Sequence, residues 1–479
     1  MNKNFHVRKV AVLGAGVMGA QIAAHLVNAN VETLLFELPA KEGDPNSNVK
    51  KALEGLKKLD PNPLASPVKL SCIQPANYEQ NLELLRDCDL VIEAIAERID
   101  WKSDLYRKVA PFLGVHSIFA SNTSGLSINQ LAQAFPEAQR HRFCGIHFFN
   151  PPRYMHLVEL IPCAATDGTL LDRLEEFLVS TLGKGVVRAK DTPNFIANRI
   201  GVFSLLATVH HAHRLGLGFD TVDALTGRYL GRPKSATFRT LDVVGLDVFA
   251  HVVNTMREGL ADDPWHRYFS PPDWLTKLTA QGALGQKSKR GIYQKVGKEI
   301  HVLNLTTGDL TTQAYRLSEG KADDAVKDIL RERDWSKKLA ALRASSHPQA
   351  QFLWAVFRDV FHYCALHLQG IANNARDLDF AVRWGFGWDS GPFEIWQAAG
   401  WQQVAGWINA DIAAGKTMSS AALPAWVTES SRTGVHALQG SFAPTAEQPP
   451  PNPPSSKGGW QAKVHHSLTH LWKKGERQT

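Results

Sequence analysis

The chain has 479 residues, 44% apolar and 21% charged, which is enough for roughly two to four domains with real cores. No run of about 18 uncharged apolar residues occurs, so no membrane-spanning helix is expected. The formal charge is +7, but residues 457–479 hold five Lys/Arg against one Glu, so the excess is local. No basic stripe interleaved with aromatics marks nucleic-acid binding.

The start, Met1 to Lys9, is polar and has no apolar h-region, so secretion is not expected. Five cysteines (Cys72, Cys88, Cys144, Cys163, Cys364) are scattered and form no CxxC pair. A reduced, cytoplasmic compartment follows as the expectation, with these residues as core filler.

Val10 to Leu13 reads as a strand, Gly14-Ala15-Gly16-Val17-Met18-Gly19 as a turn, Gln21 to Asn28 as a helix and Val31 to Phe36 as a second strand ending at Glu37. The first glycine permits a tight turn and the second lets backbone approach a pyrophosphate. The third lets helix and strand pack closely. Glu37, 18 residues after Gly19, stands where a ribose diol would be met and would repel a 2′-phosphate, so NAD is expected rather than NADP.

A lysine-bearing helical segment, with Lys50, Lys51, Lys57 and Lys58, stops at the proline-rich stretch from Asp60 to Pro67. The lysines read either as a solvated face or as contacts for an anionic substrate. Strands at Lys69 to Ile73 and Asp89 to Ile95 alternate with helices at Tyr78 to Arg86 and Trp101 to Phe112. That alternation predicts a parallel, doubly wound α/β sheet. Glu93 and Glu97 follow the fourth strand, where such sheets bind ligands. Glu97 and Lys102 either meet the nicotinamide half or pair with each other.

Further apolar runs at Ser117 to Ala120, Arg142 to Ile146 and Leu157 to Ile161 carry polar residues at or near their ends. Ser124, His147 and Glu159 together are a metal-free set for alcohol oxidation. His147 would be the general base and Glu159 would orient it and stabilise its charged form, while Ser124 would hydrogen-bond the reacting oxygen. His147 and His156 lack zinc-site spacing, and no GxSxG elbow is present, so neither a metal nor a serine hydrolase is expected.

The sheet closes near Val186 to Ala189. Thr192 then reads as a cap and Pro193 as a first helical residue, opening a helix over Phe195 to Leu215 in which Asn198 points to an interdomain cleft. Val222–Leu246 is echoed by Leu378–Trp401, at an offset of 156 that becomes 155 after a one-residue gap, predicting two copies of one helical unit. Between them, Gly291-Ile292-Tyr293 and Glu299 to Thr312 read as strand-rich, with a turn at Thr306 to Asp309, and Ala322 to Ser345 reads as helical. The expected domains are 1–190, 191–300, a connector 301–350, 351–430, and a Pro-rich basic tail 431–479 without a packed core.

These motifs resemble the L-3-hydroxyacyl-CoA dehydrogenases of fatty-acid β-oxidation, over residues 7–300 and again over the second helical unit. Gly145-Ile146-His147-Phe148-Phe149-Asn150-Pro151 is similar to that family's histidine signature, Ser121-Asn122-Thr123-Ser124 to its serine motif and Asp191–Arg199 to the opening of its C-terminal domain. The resemblance implies oxidation of (S)-3-hydroxyacyl-CoA by NAD, with catalytic roles for His147, Glu159, Ser124 and Asn198. It implies cofactor contacts at Gly14, Gly16, Val17, Met18, Gly19, Glu37, Glu97, Lys102 and Asn150. It also implies an acyl-CoA thioester substrate, an enoyl-CoA hydratase or thiolase partner, and a second helical copy acting as a dimer partner in cis. A hydratase half is not visible in this sequence. A same-scaffold dehydrogenase of a small hydroxy acid, or a non-catalytic NAD-binding assembly protein, are the alternatives.

Overall fold

Every residue of Val10–Leu13 is fully buried, so this run can only be a central strand packed on both faces. A computed structural model, which describes residues 6–304 and 314–444, places it as β1 (Lys9–Leu13) in the middle of an eight-stranded sheet. The other strands are β2 (Glu32–Glu37), β3 (Ile73–Asn77), β4 (Leu90–Glu93), β5 (Ile118–Ser121), β6 (Phe143–Phe148), β7 (Leu157–Pro162) and β8 (Gly185–Arg188). Their order is β3-β2-β1-β4-β5-β6-β7-β8. Helices α1 (Val17–Asn28), α2 (Ser47–Leu56), α3 (Ile99–Val109), α4 (Ile128–Ala132) and α5 (Gly168–Ser180) connect the strands.

The doubly wound α/β architecture is as expected, with three differences. β7 runs antiparallel to β6, joined by a hairpin instead of a crossover helix. The third strand begins at Ile73, because Pro67–Cys72 coils into a 3-10 turn. Residues 78–86 form no α-helix and hold only a 3-10 segment, Leu82–Asp87. α2 keeps its lysines outward, with Lys50 paired to Asp44 at 2.7 Å and Lys57 to Glu54 at 2.8 Å, the pattern of a solvated face.

The helical part begins with α6 (Ala197–Arg214), α7 (Phe219–Thr226), α8 (Phe238–Val244), α9 (Leu246–Gly259) and α10 (Asp273–Ala280). A small antiparallel sheet follows, β9 (Tyr293–Val296), β10 (Glu299–Leu303) and β11 (Tyr315–Leu317); the expected turn at Thr306–Asp309 lies outside the described residues. Then come α11 (Asp324–Arg331), α12 (Trp335–Ala344), α13 (Pro348–Ile371), α14 (Ala375–Phe386), α15 (Pro392–Ala398) and α16 (Trp401–Ala413). α13 starts as its sequence dictates: Pro348 occupies the first turn, where a missing N–H costs nothing, and His347 caps the N–H of Gln349.

The internal repeat is visible at single hydrogen bonds. In the first copy the Asp223 carboxylate accepts the N–H groups of Thr237, Phe238 and Arg239, at 2.7 to 3.0 Å, and so caps α8 from a distance. In the second, Asp379 accepts the N–H groups of Phe393 and Glu394 at 3.0 Å and caps α15. Each aspartate also takes a side-chain donor from a following strand, Tyr293 Oη for Asp223 and His436 for Asp379, both at 2.8 Å.

The copies pack on each other through α6 and α13. Their contacts are reciprocal, as a local two-fold axis requires. The left-handed Gly231 lies against Asp389, whose N–H it receives at 2.7 Å, and its counterpart Gly387 lies against Pro233, the counterpart of Asp389.

Residues 431–444, expected in the tail, instead fold back as a short hairpin of His436–Ala437 with Gly440–Ser441. Gln397 holds the hairpin through the N–H groups of Val435 and His436 and the carbonyl of His436. The expected tail beyond Pro444 lies outside the described residues.

The second copy also grips the first and the sheet. Lys190 N–H bonds the Ile371 carbonyl at 3.0 Å beside β8. The Phe386 ring sits where a Cβ on Gly201 of α6 would project. Gly201→Ala therefore forces that ring to move, and a loss of about 1–3 kcal/mol of stability is expected from overpacking, measured by urea denaturation.

Candidate active site

β6 and β7 pair with His147 directly opposite Glu159. The 12-residue spacing seen in the sequence is thus a hairpin register, which puts both side chains on one face of the sheet. His147 Nδ1 lies 2.7 Å from Glu159 Oε2, with His147 3% exposed and Glu159 fully buried. The other carboxylate oxygen, Oε1, accepts the N–H of Ile196 at 3.0 Å and of Ala197 at 2.9 Å, at the start of α6. The buried anion is compensated by a helix N-terminus as well as by the imidazole.

This arrangement depends on a feature that no motif announced. Helix α6 starts at Ala197, not at Pro193, because Asn194 and Phe195 take left-handed φ values of 63° and 50°. Such a pair of non-glycine residues is strained and persists only where the surroundings impose it. Asn194 is tied to the Val252 carbonyl by its side-chain amide, and the Phe195 ring packs on His147 with centroids 5.7 Å apart. The kink aims the Ile196 and Ala197 N–H groups at Glu159 and sets Asn198, half-buried, one residue further on. Phe149 also packs on the base, with ring centroids 4.4 Å apart, and lies beside Gly385 of α14.

Ser124 is half-buried, and its N–H donates to Glu97 Oε1 at 2.8 Å. The next residue, Gly125, has no room for a Cβ because the Asn194 amide oxygen lies there. The serine loop, the His–Glu pair and the Asn198 turn therefore all abut one segment, residues 194–198.

Glu97 and Lys102 do pair, at 3.5 Å, but Lys102 is only 1% exposed and binds Glu93 more closely, at 2.7 Å. Glu93 is fully buried and also takes hydrogen bonds from Tyr106, Ser121 and the Ile95 N–H. It is a support beneath the loop, not the ligand-facing acid its place after the fourth strand suggested.

At the dinucleotide turn the three glycines divide the work. Gly14 has φ +104° and Gly19 has no space for a Cβ against the Gly14 carbonyl, whereas a Cβ on Gly16 would meet nothing within 4 Å. The turn is thus tight at its two ends and open in the middle, beside the uncapped N-terminus of α1, where Val17 is exposed and Met18 half-buried. Glu37 reaches across to accept the Ala15 N–H at 2.8 Å. Gln21, a residue the motif did not single out, joins this helix to the histidine strand by donating to Asn150 Oδ1 at 3.1 Å. These residues fit a dinucleotide: an open anion cradle, a carboxylate at the ribose position and an exposed Asn150 near the base.

A dinucleotide cradle on a doubly wound sheet, with a His–Glu pair at its junction with a helical unit, is the architecture of a nicotinamide-dependent dehydrogenase. Comparison with known proteins narrows this class. Residues 9–192 match the family described as "3-hydroxyacyl-CoA dehydrogenase, NAD binding domain", and residues 195–295 match "3-hydroxyacyl-CoA dehydrogenase, C-terminal domain". A "Probable 3-hydroxyacyl-CoA dehydrogenase" of Deinococcus radiodurans is 42% identical over 295 residues, covering 61% of this chain and 84% of that one. A protein of the same description from Bacillus subtilis is 38% identical over 439 residues, 88% of this chain and 54% of the relative. This chain thus spans about half the length of that longer relative. The crystal structure of a 3-hydroxybutyryl-CoA dehydrogenase from Escherichia coli shares the fold over 84% of this chain and 93% of its own, with 22% identity and a TM-score of 0.64. The chain belongs to the 3-hydroxyacyl-CoA dehydrogenase family.

Among the described residues no helix is long and apolar enough to cross a membrane. Glu37→Arg should weaken NAD binding about tenfold, the scale of a lost charge-assisted hydrogen bond, and should favour NADP in its place. Fluorescence titration of both cofactors checks the ratio.

Proposed function

We propose that this protein oxidises (S)-3-hydroxyacyl-CoA thioesters to 3-oxoacyl-CoA with NAD, in fatty-acid β-oxidation. The observation that carries this reading is the 2.7 Å contact between His147 Nδ1 and a buried carboxylate whose second oxygen is already held by two backbone N–H groups. A carboxylate only accepts, so Nδ1 must carry the hydrogen and Nε2 keeps its lone pair. Nε2 is then the base that takes the hydroxyl proton of the substrate, and the resulting imidazolium is stabilised by Glu159. Ser124 and Asn198 would hydrogen-bond the reacting oxygen. The bound nicotinamide supplies the hydride acceptor. Gly14, Gly16, Val17, Met18, Gly19, Glu37, Glu97 and Asn150 would hold the cofactor, and Lys102 acts by positioning Glu97.

Chemistry on either side of this step defines the proposed partners. Hydration of an enoyl thioester supplies the substrate and thiolysis consumes the product, so an enoyl-CoA hydratase and a thiolase are the expected neighbours. The cytoplasm is the proposed location; four of the five thiols are buried, and burial raises that of Cys88 to about 12.

Steady-state assays on 3-oxoacyl-CoA substrates of graded length, following loss of NADH, test the activity; turnover of free hydroxy acids alone would overturn it. His147→Gln should lower kcat by about 10² to 10⁴, the range for a lost general base, with NAD affinity nearly unchanged. Glu159→Gln keeps one oxygen for the two N–H groups but presents an amide N–H to Nδ1. That forces the other tautomer, in which Nε2 carries the hydrogen and cannot accept the proton. A kcat loss comparable with that of His147→Gln is therefore expected at unchanged KM, and a full-rate variant would make Glu159 a purely structural anchor.

A further inference from the structure

Helix α9 has two apolar faces. Leu246, Phe249, Val253 and Met256 form the buried one. Val248, Val252, Thr255 and Gly259 recur at helical spacing and share another. One end of this second face is anchored beside the serine loop. Gly259 lies against the Pro193 ring, Thr255 Cγ2 lies against Gly125, and the Val252 carbonyl accepts the Asn194 amide at 3.1 Å. Gly125 directly follows Ser124, so the face starts beside the group proposed to hold the reacting oxygen. It then runs outward through half-buried Val252 to Val248, which is 43% exposed. Past the bend at Gly245 stands Val244, 53% exposed.

The second copy carries the same pair of helices with this place closed. Gly245 and Gly400 open α9 and α16 with similar positive φ values of 107° and 94°. Val252 therefore corresponds to Trp407, as Asn198 corresponds to Trp354. Trp354 and Trp407 meet edge to face with ring centroids 5.6 Å apart, and the Arg343 guanidinium of α12 lies 5.4 Å from the Trp407 centroid. Two indoles thus fill the space to which α6 and α9 contribute only an amide and an isopropyl group, both left half-buried. Further out, Val248 corresponds to Gln403, so the continuation is apolar in the first copy and polar in the second. A gap beside the base that leads onto exposed aliphatic side chains suits a saturated hydrocarbon.

We propose that the acyl chain of the substrate leaves the gap between Asn198 and Val252 and runs along α9 over Val252 and Val248 towards Val244, which makes thioesters long enough to cover these valines the preferred substrates. The inference rests on the dehydrogenase reading above and adds the substrate class to it. Val252 and Val248 are one turn apart, about 6 Å along the helix. With carbon–carbon bonds of about 1.5 Å, a butanoyl group stops at the gap whereas a dodecanoyl group passes Val248.

The test measures kcat/KM of the full-length protein with NADH for the series from 3-oxobutanoyl-CoA to 3-oxododecanoyl-CoA. Complete burial of one CH₂ is worth about fourfold, and a chain on an open stripe buries about half of its surface, so about twofold per methylene is expected. The dodecanoyl-to-butanoyl ratio is then on the order of 10². Val248→Asp sets a charge beneath the chain and should cut that ratio about tenfold or more. Val252→Trp copies the plug of the second copy and should also lower it. Val248 is exposed, so Val248→Asp keeps the test open if Val252→Trp folds poorly. Gln403→Asp places the same charge at the matching position of the second copy and should leave the ratio unchanged. A flat series, a ratio that Val248→Asp does not move, or an equal fall in Gln403→Asp overturns the proposal. Calorimetric titration with acetyl-CoA and dodecanoyl-CoA, neither of which carries a 3-hydroxyl or 3-oxo group, decides the same question without turnover. Tighter binding of dodecanoyl-CoA that Val248→Asp removes supports the acyl path, and equal affinities overturn it. Failure of every 3-oxoacyl thioester to turn over would sink the dehydrogenase reading, while the titration still decides this one.

Discussion

A carboxylate with no access to water must have all its charge answered by protein, and Glu159 is such a group. An uncompensated buried anion is far costlier than any single packing defect. Three partners answer it: the imidazole of His147 and two backbone N–H groups of the 196–197 turn. One comes from the neighbouring strand and two from a single turn, so the demand of one side chain fixes the β6–β7 register, the entry of α6 and the left-handed kink at 194–195 together. The helical region is thereby attached to the sheet at the very point where the base is held.

Three strands away in the same sheet stands a second buried acid. Glu93 gathers Lys102, Tyr106, Ser121 and the Ile95 N–H. It leaves Glu97 to receive the serine loop through Thr123 and Ser124. Lys102 is shared between the two acids, so the position of the serine is set by charge balance several residues away. The site is held by two compensated buried carboxylates in one sheet, Glu159 beneath the base and Glu93 beside the strand that leads to the serine loop.

Much of this was legible in the sequence. The dinucleotide turn could be read because glycine spacing and a following acid are dictated by backbone sterics, and His147 and Glu159 because polar residues stand at the ends of apolar runs; the antiparallel register that pairs them was not expected. The repeat was legible because Asp223 and Asp379 each close a long-range cap, a role few other residues can fill. The kink at Asn194–Phe195 was not legible: positive φ at two non-glycine residues is imposed by tertiary contacts, not by local preference. β3 was displaced because it is an edge strand that tolerates Pro75, so its sequence lacks the apolar run of an inner strand. Glu93 was misjudged because position after a strand does not say whether a carboxylate faces solvent or a buried lysine.

The local two-fold relation between the helical copies carries a consequence for how this molecule can change. In an assembly of two identical chains, every substitution on the axis happens twice and must suit both sides at once. Here the two halves of the axis are separate codons. At the position equivalent to Asn198 the second copy holds Trp354, whose indole N–H is spent on buried Asp411. At the position equivalent to Arg232 it holds Trp388, the arginine's own stacking partner. A cation facing an aromatic ring across such an axis is a pairing that strict symmetry forbids, since it would set like against like. Joining the copies in one chain turns a mirror-like constraint into two independent choices, so one copy can keep the chemistry while the other becomes its wall.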